Sequence, residues 1–260
     1  MKTPKTYVVD DGLSFKKDNL INWHCNSTFW LEGKMRHLRD VAAFTTKELA
    51  RLLSFYSGEK RLPDLFDFGC GEGWIFRLVH DCHLTAKYTG IDFNERFIEA
   101  LRSRYGQNSD HRFYHFDLEV PPPAELIAAA DVGLNFFNFF ELADISAGFA
   151  NVAAMLRPTG RLLIVNIDPV TQILAVSGSR ESFRENLKEY EKYKEQLGYD
   201  KDIDVGDEPS GRIYKSLLYS TATYVRLAKK HGLQIEDYKE IIKTGNSVPQ
   251  IYQFSYFVKR

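Results

Sequence analysis

The sequence predicts an α/β fold built on a mostly parallel, doubly wound sheet, and three observations carry that prediction. Short apolar runs of strand length alternate with amphipathic helical segments between residues 60 and 170. The first run, Leu65-Phe66-Asp67-Phe68, opens into the alternating glycines Gly69-Cys70-Gly71-Glu72-Gly73 just before the helical segment Ile75–Val79. The second run, Tyr88–Ile91, ends in an acid, Asp92, one strand–helix unit later.

Residues 1–60 lack this alternation and form the expected helical cap. Val8 and Val9 read as extended, and helices are expected over Ser27–Ala43 and Thr46–Tyr56. Thr45 and Glu48 are spaced as a capping box for the second helix, whose Leu49, Leu52, Leu53 and Tyr56 share one face and should pack on the sheet. The core, residues 61–168, supplies five strands. After those ending at Phe68 and Phe93 come His111–Phe116, then Asp131–Phe136, then Arg161–Asp168. Pro121-Pro122-Pro123 is a rigid connector that no strand can cross.

Residues 169–217 read as a lid insertion. Phe183, Leu187, Tyr190 and Leu197 fall at helical spacing, opposite a charged face, and this stripe is expected against the open edge of the sheet. Asp200–Gly211 reads as a polar loop. Residues 218–260 return to the core with a helix ending near His231, followed by strands Gln234–Ile242 and Gln250–Val258 joined through Thr244-Gly245-Asn246. These two strands form an antiparallel edge hairpin.

A strand that turns into a helix through Gly-x-Gly-x-Gly lets a ligand lie against bare backbone. Asp92 stands where a ribose-binding carboxylate is needed, Phe93 is placed to lie against an adenine face, and Asp117 can accept from an adenine amino group. A nicotinamide-binding domain would carry Gly-x-Gly-x-x-Gly. Here the third glycine comes two residues after the second, and position 74 is Trp.

Asp67-x-Gly69-x-Gly71-x-Gly73, Gly90-Ile91-Asp92, Phe116-Asp117-Leu118 and Leu156-x-Pro158-x-Gly160 follow one another in order and spacing. In these pieces the chain resembles the class I S-adenosylmethionine-dependent methyltransferases. The resemblance implies a Rossmann-like seven-stranded sheet with helices on both faces and an antiparallel C-terminal edge hairpin. It implies S-adenosylmethionine as cofactor, S-adenosylhomocysteine as product, and a small-molecule substrate methylated on an O, N or C atom. A protein methyltransferase and a non-catalytic cofactor-binding protein stay open beside that reading.

The residues expected at the cofactor are Asp67, Gly69, Cys70, Gly71, Gly73, Asp92, Phe93, Asp117, Leu118 and Asn135. A side chain at any of the three glycines is expected to block it. Cys70 serves there as a small residue packed beneath the loop more readily than as a nucleophile. In similar small-molecule methyltransferases an N-terminal helix folds over the cofactor and an Arg pairs with its carboxylate, which points to Arg36 or Arg39. His24, His37 and Tyr214, with Tyr219, are candidate general bases, although catalysis by positioning alone needs none. Asn135-Phe136-Phe137-Asn138-Phe139-Phe140 lacks the prolines of Asn-Pro-Pro-Tyr, which disfavours base amines and glutamine amides as substrates. Its phenylalanines either floor the site or pack in the core.

Composition sets the remaining bounds. The 260 residues carry a net charge of −1 with no basic stripe, so nucleic acid is not an expected partner. No apolar run reaches membrane-spanning length, and the first residues lack a signal-peptide core. Cys25, Cys70 and Cys82 have no metal-ligand spacing, and no metal is expected. These features suggest a reduced cytoplasmic protein, monomeric or homodimeric.

Overall fold

The structure, a computed structural model, describes residues 6–8, 16, 39–177, 179–193, 197–205, 208–243 and 249–260. Strand β1 (Thr6–Val8) and helix α1 (Arg39–Ser54) precede the core. The core alternates β2 (Asp64–Phe68), α2 (Trp74–Asp81), β3 (Lys87–Asp92), α3 (Glu95–Tyr105), β4 (His111–His115) and β5 (Ala130–Phe136). Helix α4 (Ile145–Met155) and β6 (Leu156–Ile167) follow. Helices α5 (Pro169–Val176) and α6 (Arg180–Tyr193) then lead into β7 (Leu197–Val205) and β8 (Glu208–Leu217). Helix α7 (Thr221–Lys230) and strands β9 (Leu233–Lys243) and β10 (Gln250–Lys259) end the order.

The main sheet runs β4-β3-β2-β5-β6-β10-β9. Its first five strands are parallel, and β10 pairs antiparallel with both β6 and β9. This is the seven-stranded doubly wound sheet with an antiparallel edge hairpin that the sequence predicts. The turn residues Thr244, Gly245 and Asn246 lie outside the described residues.

Strand periodicity splits the core in two. Phe66, Phe68, Leu162, Ile164 and Phe257 face α4 and α7, where Phe149, Val152, Tyr224 and Leu227 are buried. Leu65, Val132, Leu134, Leu163, Val165 and Phe254 face the other way, against α1, α2 and α3. Leu49, Leu52, Leu53 and Tyr56 bury the face of α1 on this second layer, as their spacing predicts.

Three expectations are corrected. No boundary falls at Thr45. Helix α1 runs through it, and Thr45 and Thr46 donate their hydroxyls to the Val41 and Ala42 carbonyls at 2.8 and 2.9 Å instead of capping a new helix. Residues 27–38 of the first expected helix lie outside the described residues.

Asp200–Gly211 is not one polar loop. Most of it lies on β7 and β8, which pair antiparallel and, with β1 on β7, make a separate three-stranded sheet. The alternation of Asp200, Asp202 and Asp204 with Lys201, Ile203 and Val205 is a strand period masked by its charge. Leu197 accordingly opens β7 and does not extend the helical stripe.

Helix α6, expected to cover the open edge of the sheet, packs on α5 and Leu218. Phe183, Leu187 and Tyr190 pack with Tyr193 against Ile173 of α5 and Leu218, one layer removed from the sheet edge.

Candidate functional site

The strand order reverses between β2 and β5, and the glycine turn leaves β2 at that switch point, where a crevice opens at the C-terminal ends of parallel strands. Gly69, Gly71 and Gly73 have φ of 83°, 53° and 80°, a region that disfavours other residues. Their surroundings differ. A Cβ on Gly69 would lie 2.4 Å from Cγ of Asn138, and one on Gly73 would lie 2.5 Å from Cδ2 of Leu101. A Cβ on Gly71 would meet nothing within 4 Å. The three glycines thus differ in what a side chain would meet. Gly69 makes room for Asn138, Gly73 lets α2 approach α3, and only Gly71 borders open space.

The turn is held from below. Gly69 and Cys70 donate their N–H groups to the Ile91 carbonyl at 2.8 and 2.9 Å, and Gly73 donates to the Cys70 carbonyl at 3.0 Å. Asp92 accepts from Gly71 N through Oδ2 and from Asn94 N through Oδ1, both at 2.8 Å. A carboxylate has about four lone-pair positions, so each oxygen keeps one for a further donor. Burial, at 6% exposure, raises the Asp92 pKa to about 6, and the two backbone donors hold it back from rising further. No side chain caps α2, and Glu72 is drawn away from the turn by a 2.5 Å ion pair with Arg77.

Beneath the turn lies an acid whose environment the sequence does not reveal. Asp67 accepts the Tyr88 hydroxyl at 2.5 Å through Oδ2, while its buried Oδ1 has no partner. Burial lifts its pKa to about 7, against the pull of Tyr88 and with the help of Asp92. Cys70 is buried, and desolvation together with Asp92 and Asp67 pushes its thiol well up, which makes it an inert packing residue.

Of the other expected residues, Phe93 is half-buried at the end of β3 and accepts from His115 Nε2 through its carbonyl at 2.9 Å. Asp117 accepts from Glu119 N at 2.9 Å and pairs with Lys16 at 2.7 Å, and Lys16 also reaches Glu119 at 2.5 Å. Sequence spacing gave no hint of Lys16. Leu118 buries its side chain in the core on the α4 side, so the side chain does not face the crevice.

Asn135 acts as a brace in the strand-end turn. Its Nδ2 donates to the Phe68 carbonyl at 3.0 Å and its Oδ1 accepts from Phe139 N at 3.1 Å, tying β2 to the turn after β5. Tyr219 is buried and donates its hydroxyl to the Leu142 carbonyl at 3.3 Å, so it is not poised as a base. Arg36, His24 and His37 lie outside the described residues. The backbone of Arg39 opens α1, and Tyr214 sits on β8 opposite Lys201.

The phenylalanine run divides between the two roles. Phe139 and Phe140 are buried. Phe136 and Phe137 remain half-buried at the strand ends, with Trp74 edge-on to Phe136 at 5.9 Å and Phe136 4.4 Å from Phe137. Phe137 has φ of 58°, unusual for an aromatic residue, and is held there by its N–H bond to the Val165 carbonyl at 3.1 Å.

Separately, Phe140, Asn166, Ile167, Pro169, Gln172, Leu217, Leu218 and Tyr219 surround a small cavity between the end of β6 and α5. Among the described residues no group of three or more His, Cys, Asp or Glu could hold a metal ion, and no helix is long and apolar enough to cross a membrane.

Residues 66–162 match the family described as a methyltransferase domain. A malonyl-[acyl-carrier protein] O-methyltransferase of Hahella chejuensis is 29% identical over 124 residues, 48% of this chain and 43% of that protein. The chain thus spans less than half the length of the curated relatives it matches. A magnesium protoporphyrin IX methyltransferase from Synechocystis, solved with S-adenosylhomocysteine, superposes with a TM-score of 0.60 at 14% identity, covering 95% of this chain and 100% of that one. A Burkholderia thailandensis 1,6-didemethyltoxoflavin-N1-methyltransferase gives 0.59 at 14% identity, covering 100% and 96%. At such identity these structures establish the shared fold.

Proposed function

We propose that this chain, whose core belongs to the class I S-adenosylmethionine-dependent methyltransferase family, binds that cofactor at the Gly71 turn and methylates a small molecule. The observation that carries this reading is the open space over Gly71 beside the Asp92 carboxylate, at the switch point of the sheet. Bare backbone, an acid with spare acceptor positions and an aromatic neighbour at Phe93 suit a ribose joined to a flat base. Bound there, S-adenosylmethionine supplies a methyl group already activated by its sulfonium.

The work left to the protein is positioning. Asp92 holds the ribose, Phe93 flanks the adenine, and Asp117, kept charged-paired by Lys16, stands at the adenine amino edge. Trp74, Phe136 and Phe137, ring against ring at the strand ends, exclude water from the transfer path. Alignment of this kind can lower the barrier by about 7–11 kcal/mol without a general base. Aromatic side chains at the strand ends and a near-neutral net charge support a metabolite substrate over a macromolecule.

Calorimetric titration of S-adenosylhomocysteine into wild type and Asp92→Ala tests the proposal. Loss of two charge-assisted hydrogen bonds, each contributing about 1.5–3 kcal/mol, predicts at least a tenfold weaker Kd in the variant. Equal affinity in a folded Asp92→Ala protein would remove Asp92 from the site. A well-folded wild type that binds no S-adenosylhomocysteine would defeat the reading itself.

A further inference from the structure

We infer that Asn138 holds the amino-acid tail of the cofactor, donating its amide N–H to the tail's carboxylate. This rests on the methyltransferase reading, which puts the ribose at Asp92 and the adenine at Asp117. The strand order β4-β3-β2-β5 then gives the bound molecule a direction. Asp117 follows β4 and Asp92 ends β3. The remainder of the cofactor therefore extends from the ribose the other way, past the turn after β2 toward the end of β5.

Asn138 stands on that path. Phe137, at φ 58°, turns the chain just after β5, and the next residue lands over the first glycine of the turn. The Cβ that Gly69 lacks would lie 2.4 Å from Cγ of Asn138 and 2.7 Å from its Nδ2. A ligand tail passing here meets an amide and not bare backbone.

A chain of hydrogen bonds fixes which end of the amide it meets. The Phe68 carbonyl can only accept and the Phe139 N–H can only donate, so Asn135 has a single orientation between them. Its Nδ2 lies 3.0 Å from the first and its Oδ1 3.1 Å from the second. The other hydrogen of Asn135 Nδ2 serves Asn138, which answers with Oδ1 at 3.5 Å. Nδ2 of Asn138 is left as the outward group. It has no acceptor among the described residues, and on a half-buried side chain it stays accessible. The tail of S-adenosylmethionine carries an α-ammonium and an α-carboxylate, and an N–H donor serves only the carboxylate. A hydrogen bond to such an ionised acceptor is about twice as strong as a neutral one.

5′-Methylthioadenosine keeps the adenine, the ribose and the sulfur but lacks the amino-acid tail. Its binding and that of S-adenosylhomocysteine are measured by calorimetry on wild type, Asn138→Ala and Asn138→Asp. Asn138→Ala is expected to weaken S-adenosylhomocysteine about tenfold and to leave 5′-methylthioadenosine within about twofold of wild type. Asn138→Asp, equal in size to asparagine, replaces the donor with a carboxylate oxygen. It is expected to weaken S-adenosylhomocysteine at least as much, again sparing the tailless ligand. Being isosteric, it also answers the question if the alanine variant fails to fold.

A side chain that only packs over Gly69 would weaken both ligands by the same factor. That result would overturn the assignment, as would unchanged S-adenosylhomocysteine affinity in either variant or a wild type that binds the two ligands equally. A folded wild type that binds neither ligand strikes the methyltransferase reading itself, and Asn138 falls with it. Binding of both ligands, with losses that do not depend on the tail, strikes only Asn138.

Discussion

The three glycines of the turn should respond differently to the same substitution, and the difference can be worked from the surroundings of each. An alanine in the left-handed region costs about 1–2 kcal/mol wherever it is placed. At Gly71 nothing lies within 4 Å of the added methyl, so that backbone term is the whole loss of stability. At Gly73 the methyl also lands 2.5 Å from Leu101, a buried side chain on α3, and overpacking of this kind adds about 1–3 kcal/mol. Gly73→Ala is therefore expected to lose about 2–5 kcal/mol, against about 1–2 for Gly71→Ala. At roughly 2–4 °C per kcal/mol for a domain of this size, Tm should drop by about 4–20 °C in the first and about 2–8 °C in the second.

Cofactor affinity should run in the opposite order. The methyl of Gly71→Ala enters the space assigned to the ligand, so S-adenosylhomocysteine should bind at least tenfold more weakly, a change of about 1.4 kcal/mol or more. Gly73→Ala, measured well below its Tm, should stay within about threefold of wild type, less than 1 kcal/mol. Differential scanning fluorimetry and calorimetry on the same preparations give both numbers. Wild-type affinity in Gly71→Ala, or lost affinity in Gly73→Ala at unchanged Tm, would refute the assignment of roles.

The remaining expectations concern the buried acids and the brace. Asp67 has its pKa raised from 3.8 to about 7, so the folded state binds its proton more tightly than the unfolded chain does. The stability it contributes is full below the ordinary carboxylate range and is lost as pH rises toward 7. Asp67→Asn should flatten the fall of Tm between about pH 4 and 7, and an unchanged slope would show that another group governs it. Asp92, near 6, should make S-adenosylhomocysteine binding weaken as pH falls below 6, because the protonated acid has given up its charge, and Asp92→Asn should remove that dependence in calorimetry at pH 5 and 7.5. Asn135→Ala leaves the Phe139 N–H and the Phe68 carbonyl without their partner, so chemical denaturation should show a loss of about 1–3 kcal/mol, and no loss would mean that the two groups find other partners.

The local code of this chain is unusually direct in its core. Strand runs such as Leu65–Phe68, the glycine turn and the acid at the end of the next strand name both an architecture and a ligand class, because parallel strands are continuous apolar runs and a phosphate-free nucleoside needs an acid and bare backbone. The face of α1 and the antiparallel edge hairpin were legible for the same reason: periodicity depends only on neighbours in sequence.

What the sequence left undecided depends on residues far apart in the chain. Asn138 over Gly69 and Leu101 over Gly73 separate one glycine that borders open space from two packing glycines, and those contacts span about 28 to 69 positions of chain that no local pattern encodes. Tyr88 and Asp67 meet only because β2 and β3 pair in one register, and that pairing makes Asp67 a protonatable acid. Lys16 reaches Asp117 across a hundred residues, and Leu118 and Asn135 turn from the crevice to the core and the backbone. Strands β7 and β8 were hidden by their charge, since pairing partners, not hydrophobicity, make them strands. Sequence periodicity thus determined which segments form the sheet and where its glycine turn lies. Tertiary contact decided which side chains at that edge are free to bind, because burial and hydrogen-bond commitment are properties of the assembled neighbourhood and not of the residue.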